Sequence, residues 1–330
     1  VARIGVLLAG LPNTVPGITI NRFCSSGLQA VADAAARIRV GEAEVMIAAG
    51  TESMTVMPQI MGNKISLNPA IFEKDENLGI AFGMGLTAEK VAAQWKISRE
   101  DQDAFAVASH QKAVAAIAAG HFKAEISPYA VKAHVPNLRS GEVTIKEYVA
   151  DTDEGPRPDS ALDKLAKLKP VFAARGSVTA GNSSQMSDGA AAVMLVSEKI
   201  LKQFNLKPLA RFAGFSVAGV PPEIMGIGPI EAIPRVLRQA GVSQQDVDWI
   251  ELNEAFAAQS LAVMRHLDLD PAKVNPLGGA IALGHPLGAT GAIRTATVVH
   301  GLQRTKQRYG MVTMCIGTGM GAAGLFEAIV

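Results

Sequence analysis

Residues 20–50, INRFCSSGLQAVADAAARIRVGEAEVMIAAG, contain the two kinds of element on which the fold is built. Apolar residues follow Cys24 at a 3-4-3 spacing, which predicts a helix with one apolar face. They are Leu28, Val31, Ala35 and Ile38. The segment Val45–Ala49, which ends at a glycine, is short and continuously apolar, as expected for a strand that is buried on both faces of a sheet.

The order of elements around this segment occurs twice in the chain. In the first copy, an apolar helix at Val1–Leu11 and a Pro/Gly turn precede Cys24. The second copy has a helix around Phe256–Leu267, the glycine-rich run NPLGGAIALGHP, a helix near Ala289–Leu302 and the strand Met311–Ile316. Such repetition predicts a duplicated fold, and the alternation of strands and helices predicts α/β layers.

The repeat also predicts that the chain begins inside its first half. In the second half, a strand near Ala210–Val217, a helix near Pro229–Ala240 and the strand Trp249–Leu252 lie before the helix that corresponds to Val1–Leu11. On this comparison, a segment of about 44 residues precedes Val1 in the full repeat. We therefore expect the N-terminal half to be incomplete.

The composition excludes several classes of protein. The chain has 330 residues, of which 48% are hydrophobic and 18% charged, which is typical of a folded α/β protein of about two domains. A formal net charge of +1 gives no sign of nucleic-acid or anionic-membrane binding, so the expected partners are small molecules or subunits. Two cysteines are too few for a disulfide framework, and a reducing cytoplasm fits best.

A segment of different character separates the two copies, from about residue 55 to residue 185. It contains a helix over Ser98–Ala119, in which Ser98 is the expected N-cap and Asp101 lies three residues further on. The polar, proline-rich run DTDEGPRPDS, residues 151–160, comes later in this segment. We predict an inserted domain of helices and loops that covers a ligand.

Cys24 is the first candidate for a catalytic residue. A lone cysteine is most often a buried structural residue. At the beginning of a helix, however, unpaired backbone N–H groups and the helix dipole lower the pKa of a thiol, and the small residues Ser25, Ser26 and Gly27 leave it uncrowded. Cys24 is therefore also a candidate nucleophile.

His285 and Cys315 are the candidates in the second copy. His285 occupies the position that Cys24 occupies in the first, so halves that pack as pseudo-symmetric partners would bring a Cys–His pair together. The other five histidines lie in polar or helical surroundings that suit solvated side chains. Cys315 either packs in a strand or, beside the glycines of GTGMGAAG, lies where backbone N–H groups are free to bind an oxyanion.

Two other motifs allow more than one interpretation. Asn253 is a candidate helix N-cap and Glu254 a solvated first-turn carboxylate, although the chain order Cys, Asn, His also admits a papain-like cysteine hydrolase. Gly319–Gly324 matches G-x-G-x-x-G, the pattern of a dinucleotide site. The chain ends at Val330, before the acidic residue that such a site needs, so we reject that site.

Six blocks follow one another along the chain, namely NRFCSSGLQA, AAGTESMT, TAGNSSQMSDGAAA, LNEAFAAQ, GGAIALGHPLGATGAIR and CIGTGMGAAGLFE. Together they resemble the thiolases, and in particular the 3-ketoacyl-CoA thiolases, which are acetyl-CoA acyltransferases. The resemblance covers essentially the whole chain in the order of the family, and it begins inside the family's first half.

The resemblance implies the thiolase fold, an α/β fold whose two similar halves stack as a five-layer αβαβα core. Residues 1–54 and 186–205 would form the N-terminal half without its first strands. Residues 55–185 would form an inserted loop domain that binds CoA, and residues 206–330 the C-terminal half. A homodimer or homotetramer is also implied.

The resemblance further implies a covalent mechanism with two cysteines. Cys24 matches the nucleophile that accepts the acyl group, His285 the base that activates it, and Cys315 the residue that moves the proton at the α-carbon. Asn253 matches the residue that positions a water in one oxyanion hole, shared with His285. The second oxyanion hole would consist of the backbone N–H groups of Cys24 and Gly317.

The resemblance implies CoA as a substrate, with no permanently bound cofactor and no metal. Six positions match residues that contact the pantetheine arm of CoA, and Arg157 matches a residue that packs on the nucleotide. The six are Met84, Phe172, Ala180, Ser184, Ala255 and Phe256.

Two departures from the family pattern bear on the subtype. The biosynthetic acetoacetyl-CoA branch commonly has a histidine where this chain has Gly83, and a glycine where it has Thr318. Both differences favour a degradative 3-ketoacyl-CoA thiolase of fatty-acid β-oxidation, with a broader range of acyl chains, over a biosynthetic acetyl-CoA acetyltransferase.

Two alternatives of other classes are a cysteine hydrolase and a non-catalytic acyl-CoA carrier. A hydrolase leaves Cys315 without a role, and a carrier would need neither cysteine nor His285. We therefore expect a cytoplasmic acyltransferase that binds acyl-CoA and CoA, and a partner among the other β-oxidation enzymes is compatible with this function.

Overall fold

The computed structural model describes residues 1–56 and 67–329, so residues 57–66 of the predicted insertion and Val330 lie outside the described residues. The helices are α1 (Ala2–Leu8), α2 (Ser26–Arg39), α3 (Met84–Gln94), α4 (Arg99–Ala118), α5 (Leu162–Leu165), α6 (Glu198–Phe204), α7 (Gly228–Ala240), α8 (Ala257–His266), α9 (Ala280–Leu283) and α10 (Leu287–Thr305). The strands are β1 (Val45–Ser53), β2 (Tyr129–Pro136), β3 (Val143–Ala150), β4 (Asp188–Val196), β5 (Ala210–Gly219), β6 (Val247–Leu252), β7 (Tyr309–Ile316) and β8 (Met320–Ala328). Each element predicted from the repeat is present, with bounds that differ by a few residues.

The second half of the chain contains a four-stranded sheet in the order β5-β8-β7-β6. β6 and β7 are parallel, whereas β8 runs antiparallel to both of its neighbours. β7 is buried over nearly its whole length, which confirms the prediction from its continuous apolar run.

Helices cover both faces of this sheet. Along β7, Met311 packs in one apolar cluster with Ile233 of α7. The next residue, Val312, packs in a different cluster with Leu28 of α2 and Val298 of α10. Because successive side chains of a strand point to opposite faces, α7 lies on one side of the sheet and the pair α2 and α10 on the other.

The first half contributes a smaller sheet, in which β1 pairs antiparallel with β4. The two strands come from either side of the predicted insertion. The assignment of residues 1–54 and 186–205 to one half, 55–185 to the insertion and 206–330 to the other half stays a prediction.

The prediction that β1 is buried on both faces is wrong for the described residues. Ala48 is the only buried residue of β1, and the side chains of Ile47 and, on β4, Met194 are 55% and 61% exposed. α2 and α10 pack on β1, and β4 is its only hydrogen-bonded neighbour among the described strands. One face of the strand is therefore left open.

α2 and α10 cross with their backbones in direct contact, and glycine makes this approach feasible. A Cβ placed on Gly27 would lie 2.5 Å from the backbone nitrogen of Ala292, and one on Gly291 would lie 2.0 Å from that of Leu28. The crossing lies within the first turns of both helices. It therefore brings together the segments that precede them, which carry Cys24 and His285.

α4, with 20 residues, is the longest helix of the predicted insertion, and it begins as the sequence predicts. The Ser98 hydroxyl accepts the backbone N–H of Asp101 at 3.0 Å. α4 packs against α8 and α9, next to the segment that carries His285.

Within residues 1–56 and 67–329, every helix is too short or too polar to cross a bilayer.

Candidate active site

Cys24 lies in a 3₁₀ turn, Phe23–Ser25, that leads directly into α2. Phe23 has φ = 45°, a left-handed conformation that is costly for a bulky side chain and is typical of backbone held under strain at a functional site. The turn leaves Cys24 only 7% exposed. Two backbone N–H groups, those of Gly317 and of Cys24 itself, donate hydrogen bonds to its sulfur.

The sequence-based expectation that the pKa of Cys24 is lowered is wrong for the free enzyme. Burial raises the pKa of the thiol to about 11, and the negative charge of Glu52 adds to this effect. The hydrogen bonds from Gly317 and Cys24 act in the opposite direction but are outweighed. Without substrate, Cys24 is therefore a neutral thiol at physiological pH.

Cys315 lies on β7 opposite Gly321 of β8 and is completely buried. Burial raises the pKa of its thiol, and a negative charge on Cys24 raises it further. The turn that carries Cys24 packs against β7, the strand of Cys315. Cys315 packs in an apolar cluster with Met225 and Phe256, among others. These surroundings keep Cys315 protonated, which is the state required of a proton donor.

His285 lies between α9 and α10, and its two ring nitrogens have different partners. Nδ1 is 2.7 Å from the hydroxyl oxygen of Thr290, and that hydroxyl lies 3.0 Å from the carbonyl oxygen of Pro286. Because a hydroxyl has one proton and the Pro286 carbonyl accepts it, the Thr290 oxygen accepts the Nδ1 proton. This assignment leaves Nε2 unprotonated.

His285 is a neutral imidazole in this setting. Burial lowers its pKa to about 3, and the positive charge of Arg294 lowers it further. A neutral imidazole with an unprotonated Nε2 can accept a proton from a thiol, so the environment suits a general base.

Asn253 is not a helix N-cap, because α8 begins only at Ala257 and Phe256 occupies the N-cap position. Its side-chain nitrogen lies 3.2 Å from Nε2 of His285 and donates to it. Its side-chain oxygen is buried and has no hydrogen-bond partner among the described residues. The backbone N–H of Asn253 donates to the carbonyl oxygen of Thr313 at 2.9 Å. This bond attaches Asn253 to β7, the strand that carries Cys315.

Glu254 is buried, so the interpretation as a solvated carboxylate is wrong. Its oxygens accept hydrogen bonds from the Ser109 hydroxyl at 2.6 Å, the Asn275 amide at 2.8 Å and the Ile281 N–H at 3.2 Å. Burial raises the pKa of Glu254. A single carboxylate thus joins the Asn253 segment, α4 and the segment that leads to His285.

The predicted catalytic residues are connected by these contacts. Gly317, which donates to Cys24, is two residues from Cys315, and Asn253 bonds both to the strand of Cys315 and to His285. The sequence did not single out Thr290, and it assigned Glu254 to solvent instead of to this buried network. The sequence does contain a pattern that could have indicated Thr290. A helix that begins at Leu287 places residue 290 in its first turn, within reach of His285.

Several of the residues predicted to bind CoA lie beside this site. The Phe172 ring meets the Phe256 ring edge-on, with centroids 6.1 Å apart. The carbonyl of Ala255 accepts the N–H of Ser184 at 3.0 Å. A Cβ on Gly317 would lie 3.7 Å from the sulfur of Met84.

The other two predicted CoA contacts, Ala180 and Arg157, are exposed to solvent.

The rejected dinucleotide motif, Gly319–Gly324, lies in the β7–β8 turn and in β8 and opens no helix. Thr318, in the same turn, has φ = 71°, a conformation that favours glycine.

Comparisons with known families identify the fold. Residues 1–199 match the domain described as Thiolase, N-terminal domain, and residues 206–328 match Thiolase, C-terminal domain. The chain belongs to the thiolase family. It is therefore an enzyme, an acyltransferase with the thiolase fold, as the six sequence blocks imply.

Individual relatives agree with this assignment. A 3-ketoacyl-CoA thiolase of Bacillus subtilis (strain 168) is 53% identical over 97% of this chain and 81% of its own length. The dimeric peroxisomal thiolase of Saccharomyces cerevisiae has a TM-score of 0.88 at 44% identity, over 99% of this chain and 80% of its own. The human mitochondrial 3-ketoacyl-CoA thiolase in complex with CoA has a TM-score of 0.86 at 42% identity, over 99% and 82%.

Proposed function

We propose that this thiolase cleaves 3-ketoacyl-CoA with CoA, giving acetyl-CoA and a shortened acyl-CoA in fatty-acid β-oxidation, through an acyl group carried on Cys24. The observation that carries the assignment of roles is the packing of the Cys24 turn against β7, which carries Cys315, and against α10, which follows His285, with Asn253 bonded both to β7 and to His285. Family membership and the 3-ketoacyl-CoA thiolase relatives support the reaction.

In the first half-reaction, Nε2 of His285 accepts the thiol proton of Cys24, and the sulfur attacks the 3-keto carbon. The bond between the α- and β-carbons then breaks, and its electrons pass to the acetyl-CoA fragment. Cys315 donates its proton to that carbon. Its raised pKa supports this role, because Cys315 is protonated before the reaction.

Before the second half-reaction, the His285 imidazolium passes its proton to the Cys315 thiolate, which restores both groups. The thiol of CoA then enters, and His285 accepts its proton. The CoA sulfur attacks the acyl carbon, the bond to Cys24 breaks, His285 returns the proton to the Cys24 sulfur, and the shortened acyl-CoA leaves. The covalent intermediate divides one difficult exchange into two easier steps, so ping-pong kinetics are expected.

Negative charge develops on the oxygen of the attacked carbonyl in both half-reactions. The backbone N–H groups of Gly317 and Cys24 already point at the Cys24 sulfur and form one oxyanion hole. A water held by Asn253 forms the other, together with Nε2 of His285 once that nitrogen carries the thiol proton. The Asn253 side-chain oxygen is buried, has no hydrogen-bond partner among the described residues, and is available to bind that water. Each donor contributes about 3 kcal/mol to transition-state stabilisation.

CoA binds along the residues predicted for its pantetheine arm, namely Met84, Phe172, Ala180, Ser184, Ala255 and Phe256, with Arg157 on the nucleotide. No cofactor remains bound between turnovers. The yeast relative is described as dimeric, which supports a dimer for this chain. The bacterial relative supports a cytoplasmic enzyme.

The proposal is tested by thiolysis of 3-ketoacyl-CoA substrates of short, medium and long acyl chain, with intact-mass detection of an acyl adduct. We expect CoA-dependent cleavage of several chain lengths and an adduct on Cys24 that Cys24→Ser abolishes. Cleavage confined to acetoacetyl-CoA would instead indicate the biosynthetic subtype, and release of the acyl group to water would indicate a hydrolase.

A further inference from the structure

His110, on α4, is buried and makes a hydrogen bond outside the catalytic site. It is 5% exposed, so the prediction of a solvated side chain is wrong for this histidine. Its Nδ1 accepts the backbone N–H of Arg157 at 3.1 Å. No other side chain in the described residues accepts that N–H.

The helix that carries His110 is itself fixed to the catalytic segments. The neighbouring Ser109 hydroxyl donates to Glu254 at 2.6 Å and accepts the N–H of Gly279 at 3.0 Å. A Cβ on Gly278 would lie 2.6 Å from the carbonyl oxygen of Ser109, so the backbones are in contact. Of two successive residues of α4, Ser109 therefore contacts the catalytic segments and His110 contacts the Arg157 segment.

The Arg157 segment has little regular structure of its own. Between β3 and the one-turn helix α5, the backbone forms neither strand nor helix. The Arg157 carbonyl accepts the N–H of Ser160 at 3.2 Å, and this bond closes a local turn. At the other end, Gly155 packs against Gln185 and the carbonyl of Ala282. The direction of the Arg157 side chain thus depends on few contacts, of which the bond to His110 is the one from α4.

We propose that His110 is a positioning residue for CoA, which holds the backbone of Arg157 so that the guanidinium lies against the CoA nucleotide. The inference rests on the proposed contact of Arg157 with CoA. It assigns to His110 a share of the affinity for the nucleotide and none of the acyl-transfer chemistry, because His110 contacts neither Cys24 nor His285.

The protonation state of His110 makes the contact dependent on pH. Burial lowers its pKa below 6.5, the charge of Arg157 lowers it further, and Asp159 acts in the opposite direction. Glu254, the other carboxylate that contacts this turn of α4, is already hydrogen-bonded to Ser109. At neutral pH Nδ1 is therefore unprotonated and accepts the Arg157 N–H, whereas protonation in acid would place two donors, Nδ1–H and the Arg157 N–H, face to face.

The test compares three variants in thiolysis with CoA and with pantetheine, a thiol acceptor that lacks the nucleotide. His110→Leu removes the acceptor. His110→Asn is the matched control, because its side-chain oxygen occupies the place of Nδ1. Arg157→Ala removes the proposed nucleotide contact itself.

We expect His110→Leu to raise KM for CoA about tenfold while kcat and KM for pantetheine stay near the wild-type values. His110→Asn should restore KM for CoA and, because it cannot take up a proton, abolish the rise in that KM that we expect for the wild type in acid. Hydrogen exchange at the Arg157 amide should be faster in His110→Leu than in His110→Asn.

Other outcomes would overturn the inference or the function on which it rests. An unchanged KM for CoA in His110→Leu, with a raised KM in Arg157→Ala, rejects the role of His110 alone. Equal losses with CoA and pantetheine would show general damage to the fold. An unchanged KM in Arg157→Ala would reject the proposed contact of Arg157 with CoA, whatever the exchange rate at its amide.

Discussion

The reactivity of Cys24 is governed by burial rather than by its position before a helix. The pKa of the thiol is raised from 9.0 to about 11, so the thiolate fraction at neutral pH is small. We expect the rate of alkylation of Cys24 by iodoacetamide to rise about tenfold per pH unit between pH 7 and pH 9 in the free enzyme, because only the thiolate reacts.

This rate is measured by intact mass after timed quenching, with Cys24→Ser to account for alkylation of Cys315. A rate that levels off near neutral pH would show a preformed thiolate paired with imidazolium, and would contradict both the raised pKa of Cys24 and the lowered pKa of His285.

Thr290 is expected to act through His285. Its oxygen accepts the Nδ1 proton and so keeps Nε2 unprotonated, the state that can accept a proton from the thiol. Thr290→Val keeps the shape of the side chain but removes this acceptor, and we expect kcat to fall about 10- to 100-fold. Thr290→Ser retains the oxygen and should keep most of the activity.

The measurement is steady-state thiolysis of both Thr290 variants alongside thermal unfolding. A Thr290→Val enzyme with wild-type kcat would show that His285 does not need this partner to remain in the required tautomer.

At the scale of single residues, the sequence predicts which side chains are chemical candidates but not the state in which they lie. The repeat predicts that Cys24 and His285 come together. It does not predict that Asn253 contacts His285 instead of capping α8. The directions of the pKa shifts depend on how much solvent each group loses, and this follows from packing between distant segments. Local patterns around Cys24, Glu254 or His110 do not contain that information.

At the scale of elements, the crossing of α2 and α10 sets the position of the two catalytic segments. We expect Gly291→Ala to separate the helices, because its new methyl group would overlap the backbone of Leu28. The expected loss in the free energy of unfolding is about 1–3 kcal/mol, with a larger relative loss of kcat because Cys24 and His285 move apart.

Urea unfolding and thiolysis of Gly291→Ala check this prediction. The control is Gly219→Ala at the end of β5, where an added Cβ meets no atom within 4 Å. Equal behaviour of the two variants would mean that the close approach of the helices is not needed for catalysis.

The sequence predicts the positions of helices and strands better than it predicts which of their faces are buried. Helical spacing places α2 and α10 correctly, since the apolar face of a helix is a local property. The apolar run of β1 predicts a strand that is buried on both faces, but the burial of Ile47 depends on the neighbours of the strand. Among the described residues, β1 has β4 alone beside it, and Ile47 is exposed.

At the scale of the whole molecule, buried charges connect the sheet to the helix that follows His285. Glu251 of β6 and Arg294 of α10 form an ion pair at 3.2 Å, and both are almost completely buried. The Trp249 indole donates a further hydrogen bond to Glu251. Removal of one member of such a pair leaves an unpaired buried charge, so the pair holds β6 and α10 in one arrangement.

Glu125, next to this ion pair, makes the stability of the molecule depend on pH. Burial raises its pKa from 4.5 to about 7, and the charge of Glu251 adds to the shift, whereas a hydrogen bond from Thr297 and the charge of Arg294 reduce it. The folded state therefore holds the Glu125 proton more tightly than the unfolded state. Its contribution to stability is present below pH 4.5 and is lost as the pH rises through about 7.

We therefore expect Glu125→Gln, which cannot ionise, to raise the free energy of unfolding at pH 8 by up to about 3 kcal/mol and to leave it unchanged near pH 4.5. Urea unfolding at the two pH values measures the difference, and Glu73→Gln, at an exposed position, is the control. A loss of stability at pH 8 would mean that ionised Glu125 contributes more through the charge of Arg294 than burial costs. The shift in its pKa would then have the opposite sign.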